Sequence, residues 1–208
     1  PTAVSLFGSC VPKNEGDVAF LSDIISQNSI IGSNYWHKST FEAYAGNSYW
    51  CGDEAIGGYR NSKLMFMDTP PITLPADGWH SLSAQMKWSL EQYIGGDYDS
   101  FDGSDVANVR ISSDNGSTWE ILEGSYPYDF QSGLGWIENE EGENIPGWGL
   151  DHDWQTITFD LNPYNGHDVI VRFAFGSDPW VSTFYDSTLT GLFVDEIQII
   201  NINANGEV

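Results

Sequence analysis

Positive charge is what this sequence has least of. Seven lysines and arginines face thirty aspartates and glutamates, a formal net charge of −23. Phosphate backbones and anionic lipid surfaces are bound through Lys and Arg, so neither nucleic acid nor an anionic membrane is expected as a partner. Cysteine is nearly as scarce. Cys10 and Cys51 form no CxxC pair, which excludes a zinc knuckle. They are either a disulfide or two buried free thiols. A bridge closing a loop of about 40 residues would stabilise the fold by roughly 3 to 4 kcal/mol in the chain-entropy account. No apolar run reaches transmembrane length, so no membrane insertion is expected. The four histidines (His37, His80, His152 and His167) are scattered, with no HExxH between them. A nucleophile elbow, a P-loop and a dinucleotide fingerprint are also missing, so the chain carries no catalytic motif.

Aromatic residues are plentiful: 9 Trp, 10 Tyr and 11 Phe stand beside 22 Gly and 9 Pro. An acidic chain this rich in aromatics is folded rather than disordered, and 208 residues suffice for one domain with a substantial core. Strand periodicity dominates. Leu82, Ala84, Met86, Trp88 and Leu90 alternate with polar residues across Ser81–Leu90. Asn108–Ser112, Trp119–Leu122, Thr156–Leu161, Asp168–Phe175 and Leu192–Ile200 read as further strands, separated by Gly-containing turns such as Asn115-Gly116 and Asn165-Gly166. The expectation is an all-β, two-sheet antiparallel sandwich across residues 1–208. Residues 1–35 form an irregular N-terminal segment, in which Asp17–Ser26 reads as a weak helix or a strand. Residues 124–153 form a long inserted loop.

Ser112-Ser113-Asp114-Asn115-Gly116-Ser117-Thr118-Trp119 fits the Asp-box pattern. Its physics is that of a hairpin: Asp and Asn accept local backbone bonds, Gly takes positive φ, and Trp packs beneath. Trp88 and Trp119 read as core. Trp136 and Trp148, flanked by glycines in the long loop, are candidates to line a ligand surface.

Most of the thirty acids read as solvated surface, but a few are candidate cation ligands. Glu91 ends a strand, Asp97 and Asp99 share a Gly-rich loop, Asp178 follows a strand, and Asp195 lies within the last one. Asp195 has the parity of Phe193, Ile197 and Ile199. If those three face the core, a carboxylate points inward among them, which is costly unless it is paired or metal-bound. Calcium takes six to eight oxygens from such groups.

Several segments recur in a recognisable order. Ser48-Tyr49-Trp50-Cys51-Gly52-Asp53 precedes Gly58-Tyr59-Arg60-Asn61 and Thr69-Pro70-Pro71-Ile72. Then come Glu91, Asp97-Tyr98-Asp99 and the Asp-box, and after them Phe159-Asp160-Leu161-Asn162-Pro163. Arg172-Phe173-Ala174-Phe175-Gly176-Ser177-Asp178 and Phe193-Val194-Asp195-Glu196-Ile197 close the series. This order resembles the MAM-like jelly-roll domains of bacterial secreted proteins, including those found with immune-inhibitor-A-type metallopeptidases and in anchored surface proteins. The resemblance runs from Trp36 to Ile200 and departs in the first forty residues and in Gly124–Asp153. It implies a jelly roll, an extracellular location and a structural calcium site, with Asp195 as the firmest carry-over. The chain opens at Pro1 without Met, as expected of a processed piece. Together these features lead to the expectation of a non-catalytic, calcium-stabilised accessory or adhesion module of a larger secreted protein. Its partners would be neighbouring domains, and a glycan or surface protein. The alternatives are a carbohydrate-binding module using Trp136 and Trp148, and a glycoside-cleaving enzyme using paired acids.

Overall fold

Alternating burial builds the larger of two sheets. The central strand β6 (Trp79–Ser89) turns Leu82, Ala84, Met86 and Trp88 inward, each almost wholly removed from solvent. The structure is a computed structural model that describes residues 17–20, 35–92 and 100–202; for 17–20 it describes the backbone alone. The chain first lays down β1 (Asp17–Phe20), β2 (Trp36–Ser39) and β3 (Ser48–Cys51). It later adds β9 (Asp151–Asp160) and β11 (Gly191–Ile202) to the same sheet, in the order β2-β3-β11-β6-β9. β1 pairs with the far half of β11, from Gln198 to Asn201, while β3 pairs with Leu192–Val194. The facing sheet holds β4 (Lys63–Asp68), β10 (Asp168–Ser177), β7 (Val106–Ser112) and β8 (Glu120–Ile121) in that order, with β5 (Ile72–Thr73) also on β10. Every pairing between named strands is antiparallel. From β5 to β11 nearly every connection changes sheet, the winding of a jelly roll rather than of consecutive hairpins.

The two inner faces meet in one core. Val169, Val171, Phe173 and Phe175 of β10 and Val109 and Ile111 of β7 face Leu82, Met86, Trp88, Ile157 and Phe159. Each side chain of this size contributes about 1.5–3 kcal/mol on burial. The expected β-sandwich is therefore present, and the strands read from alternation are strands. β2 to β5 were not legible, because they are short and some are covered on both sides. All four residues of β3 are buried, so no polar face remains to show a period. Of the stretch Asp17–Ser26, the first four residues are strand and the rest lies outside the described residues.

The long loop 124–153 is a strap that completes the core. Trp148 packs in the main core, stacked on Trp88 at 5.2 Å, and its indole N–H donates to the Pro127 carbonyl at 3.1 Å. Trp136 sits in a one-turn helix, α1 (Leu134–Ile137), against Phe66 and Ala174 on the outer face of the second sheet. A Cβ on Gly135 would come within 2.2 Å of the Gly176 carbonyl, so only glycine lets this turn rest on β10. Both tryptophans are 0% exposed. That corrects the expectation that they line a ligand surface: the glycines beside them permit close packing and do not lay them open.

The Asp-box is the turn between β7 and β8. Asp114 accepts bonds from the Thr118 amide at 2.8 Å and the Thr118 hydroxyl at 2.6 Å, while Asn115 and Gly116 take positive φ. Those two Thr118 bonds hold the Asp114 carboxyl down at about 2. Trp119 lies half-buried on the surface rather than in the core, with the Arg172 guanidinium 3.7 Å above its ring. Arg172 stands directly across the ladder from Arg110, and like charges so placed repel. Asp68 offsets this with two bonds to Arg172, at 2.7 and 2.8 Å, and Glu141 pairs with Arg110. Removing one partner of a buried pair strands the other charge. Asp68→Ala is therefore expected to lower unfolding stability by about 3 kcal/mol. Asp153→Ala, which loses an exposed pair with Lys87, should change it by less than about 1 kcal/mol. Denaturant midpoints at constant slope check both.

Candidate metal centre

Three strand ends bring three acids together. Glu91 follows the end of β6, Asp105 immediately precedes β7, and Asp178 immediately follows β10. β7 and β10 are antiparallel neighbours, with Val106 opposite Gly176, so the start of one adjoins the end of the other. β6 in the facing sheet delivers Glu91 to the same place. One carboxylate oxygen from each residue lies within 4.8 Å of the others. Asp105 and Asp178 are 0% and 1% exposed, and Glu91 is half-buried.

Some of the six oxygens have partners. The Asp178 amide donates to Asp105 Oδ1 at 2.7 Å, and the Trp180 amide donates to Asp178 Oδ1 at 2.8 Å. The Glu91 amide donates to the Tyr59 hydroxyl at 2.9 Å. Asp105 Oδ2 and Glu91 Oε2 are buried with no well-formed hydrogen bond among the described residues, although the Tyr59 hydroxyl beside Asp105 favours its ionised form. No ion pair among those residues reaches the trio: Arg60 binds Asp53, Lys87 binds Glu42 and Asp153, Arg110 binds Glu141, and Arg172 binds Asp68.

The electrostatic consequence is uniform in sign. Burial, then the nearby Asp178 charge, raises the Glu91 carboxyl to about 8. Burial and the same charge push Asp105 well above the carboxylate range. Burial also raises Asp178, against the amides of Trp180 and Val181, which favour its ionised form. Neutralisation can come from protons or from a cation. The donors are all oxygen, which suits a hard cation such as calcium and offers nothing to metals that select nitrogen or sulfur.

The sequence named two of the three. Glu91 and Asp178 meet in space as candidate ligands, whereas Asp105 was missed. Its signal was a carboxylate directly before the apolar-rich run Val106–Ser112, where a strand begins and an acid has no surface to occupy. Asp97 and Asp99 lie outside the described residues. Asp195 is buried but stands apart, because parity fails within β11. Leu192 and Val194 face the core before position 195, and Ile197 and Ile199 face it afterwards. The switch is a β-bulge between Asp195 and Gln198, with Glu196 at φ 46°. Asp195 thus keeps the parity of Phe193, which stacks with Trp50 on the outer face of the sheet. It accepts bonds from the amides of Ala45 and Glu196, each at 2.8 Å, and so fastens the loop after β2. Cys51 is a fully buried free thiol, raised by burial, and Cys10 lies outside the described residues.

No family model matches the chain, and no curated protein is similar to it. Among solved structures it is similar to the K3 cleaved adhesin domain of Lys-gingipain from Porphyromonas gingivalis. The identity is 17% and the TM-score 0.43, over 88% of this chain and 98% of that one. It is also similar to TmCBM61 in complex with β-1,4-galactotriose, at 12% identity and a TM-score of 0.35, over 91% and 97% of the two chains.

The raised Glu91 carboxyl sets a pH dependence in chelator. Between about 4.5 and about 8 the folded chain keeps a proton there that the unfolded chain has released. Rising pH through that window therefore favours unfolding. Thermal midpoints in chelator should fall from pH 5 to pH 8, and Glu91→Gln should flatten that slope. A midpoint that holds or rises with pH, or a slope unchanged in the variant, would contradict the assignment.

Proposed function

We propose that this chain is a non-catalytic accessory module of a larger secreted protein, stabilised by a calcium ion held by Glu91, Asp105 and Asp178. The observation that supports it most is the meeting of three carboxylates at a buried strand junction, two of their oxygens without well-formed hydrogen bonds, while Arg60, Lys87, Arg110 and Arg172 are paired with other acids. Calcium would supply the missing positive charge, tying β6, β7 and β10 and hence both sheets. Asp97 and Asp99, which fall between Glu91 and Asp105 in sequence, are proposed as further ligands. The role is structural rather than hydrolytic, because Asp105 and Asp178 are sealed from any substrate. The likeness in segment order to MAM-like domains supports an extracellular setting, where calcium sites work at dissociation constants of about 10⁻⁴ to 10⁻³ M.

A cation that binds the folded state alone adds RT ln(1 + [Ca]/Kd), about 2.7 kcal/mol at a hundredfold excess. Chelator is therefore expected to lower the thermal midpoint of the wild-type chain and to leave that of Asp178→Asn unchanged. Elemental analysis of the purified protein should find calcium. An unchanged wild-type midpoint with no metal detected would defeat the proposal.

A further inference from the structure

A cleft of about 770 Å³ opens beside the acidic trio, within the size range of small-ligand sites. Its floor is the end of β6. Its walls are the loop after β2, the start of β9, and the stretch from 181 to 190 that leads into β11. Phe41 stands in one wall, 50% exposed, although no packing requirement keeps it in water. Its ring lies flat on Trp50 at 4.6 Å and 7°, and Trp50 lies flat on Phe193 at 5.5 Å and 7°. The stack fixes the plane of the exposed ring. Tyr44 on the same loop, and Phe184 and Tyr185 on the opposite stretch, are exposed as well. Of six large hydrophobic side chains exposed among the described residues, four lie on the two segments that wall this cleft, with Phe41 in the lining itself. Such concentration marks a contact surface rather than scatter.

The polar groups narrow the occupant. Lys87 points its ammonium between Glu42 at 2.6 Å and Asp153 at 3.5 Å, and Asp151 and Asp186 add acceptors along the walls. Carboxylates outnumber the single lysine, so sulfated, sialylated or uronate ligands are repelled. Lys87 is already paired with Glu42 and Asp153, so the cleft is net acidic and basic peptides are the competing occupant to be tested. What fits donors and acceptors side by side is a group that both donates and accepts, which is a hydroxyl. What fits a rigid exposed ring is a flat apolar face. A pyranose presents both.

From this arrangement we infer that the cleft binds an uncharged oligosaccharide, with Phe41 as the stacking platform and Lys87, Glu42 and Asp151 taking the hydroxyls. This goes beyond the calcium reading and does not depend on it. The test is an array of neutral and acidic oligosaccharides together with oligolysine and oligoarginine peptides, probed with the folded protein in calcium buffer. Neutral glycans should be retained and acidic ones not. Phe41→Ala should weaken that binding by about tenfold or more, as loss of a central aromatic anchor does. Asp151→Ala, an exposed change that leaves the aromatic stack intact, should weaken it too. Trp79→Ala, an exposed aromatic outside the cleft lining, should bind as wild type does. Retention of no neutral glycan, preference for the basic peptides, or binding indifferent to both Phe41→Ala and Asp151→Ala would overturn the inference.

Discussion

Three carboxylates share a space less than 5 Å across at the end of this sandwich, and the surrounding chain has almost no positive charge to give them. Like charges so close in a poorly solvated place cannot all stay ionised without a counter-charge. The junction where the end of β6 in one sheet meets β7 and β10 of the other thus gathers like charge. Its geometry follows directly from topology: antiparallel pairing of β7 with β10 puts the residue before one strand beside the residue after the other, and β6 crosses above with Glu91. Whatever neutralises the trio also fastens both sheets.

The fold was legible where one face of a strand meets solvent and one meets the core. β6 and β9 show this, with Leu82 to Trp88 and Ile157 to Leu161 marking their inner faces. It was illegible where both faces are covered, as at Ser48–Cys51. Parity misled at Asp195, because one extra residue in β11 moves every later side chain to the other face. No periodicity in the sequence announces such a bulge. The tryptophans failed for another reason: neighbouring glycines mark close backbone approach as readily as an exposed platform, and Gly135 against Gly176 shows which applies at Trp136. The site was half visible. Strand-end acids could be named, but which ends coincide is a property of the pairing.

The stretch from Asp178 to Thr190 joins the two regions of interest. Asp178 belongs to the trio, its Oδ1 holds the Trp180 amide, and Val181 and Asp186 line the cleft. Glu91 serves both regions, as a member of the trio and as cleft lining. The Asp178–Trp180 hydrogen bond thus ties the trio to the segment that shapes one wall of the cleft.

The central claim, that this buried acidic junction is built for calcium, is tested most directly by calorimetric titration of chelator-stripped protein with calcium. One ion per chain should bind, Asp105→Asn should abolish that binding, and Asp195→Asn should retain it, since Asp195 stands apart on the outer face. No binding heat in the wild-type chain, or binding that survives Asp105→Asn and fails in Asp195→Asn, would contradict the account.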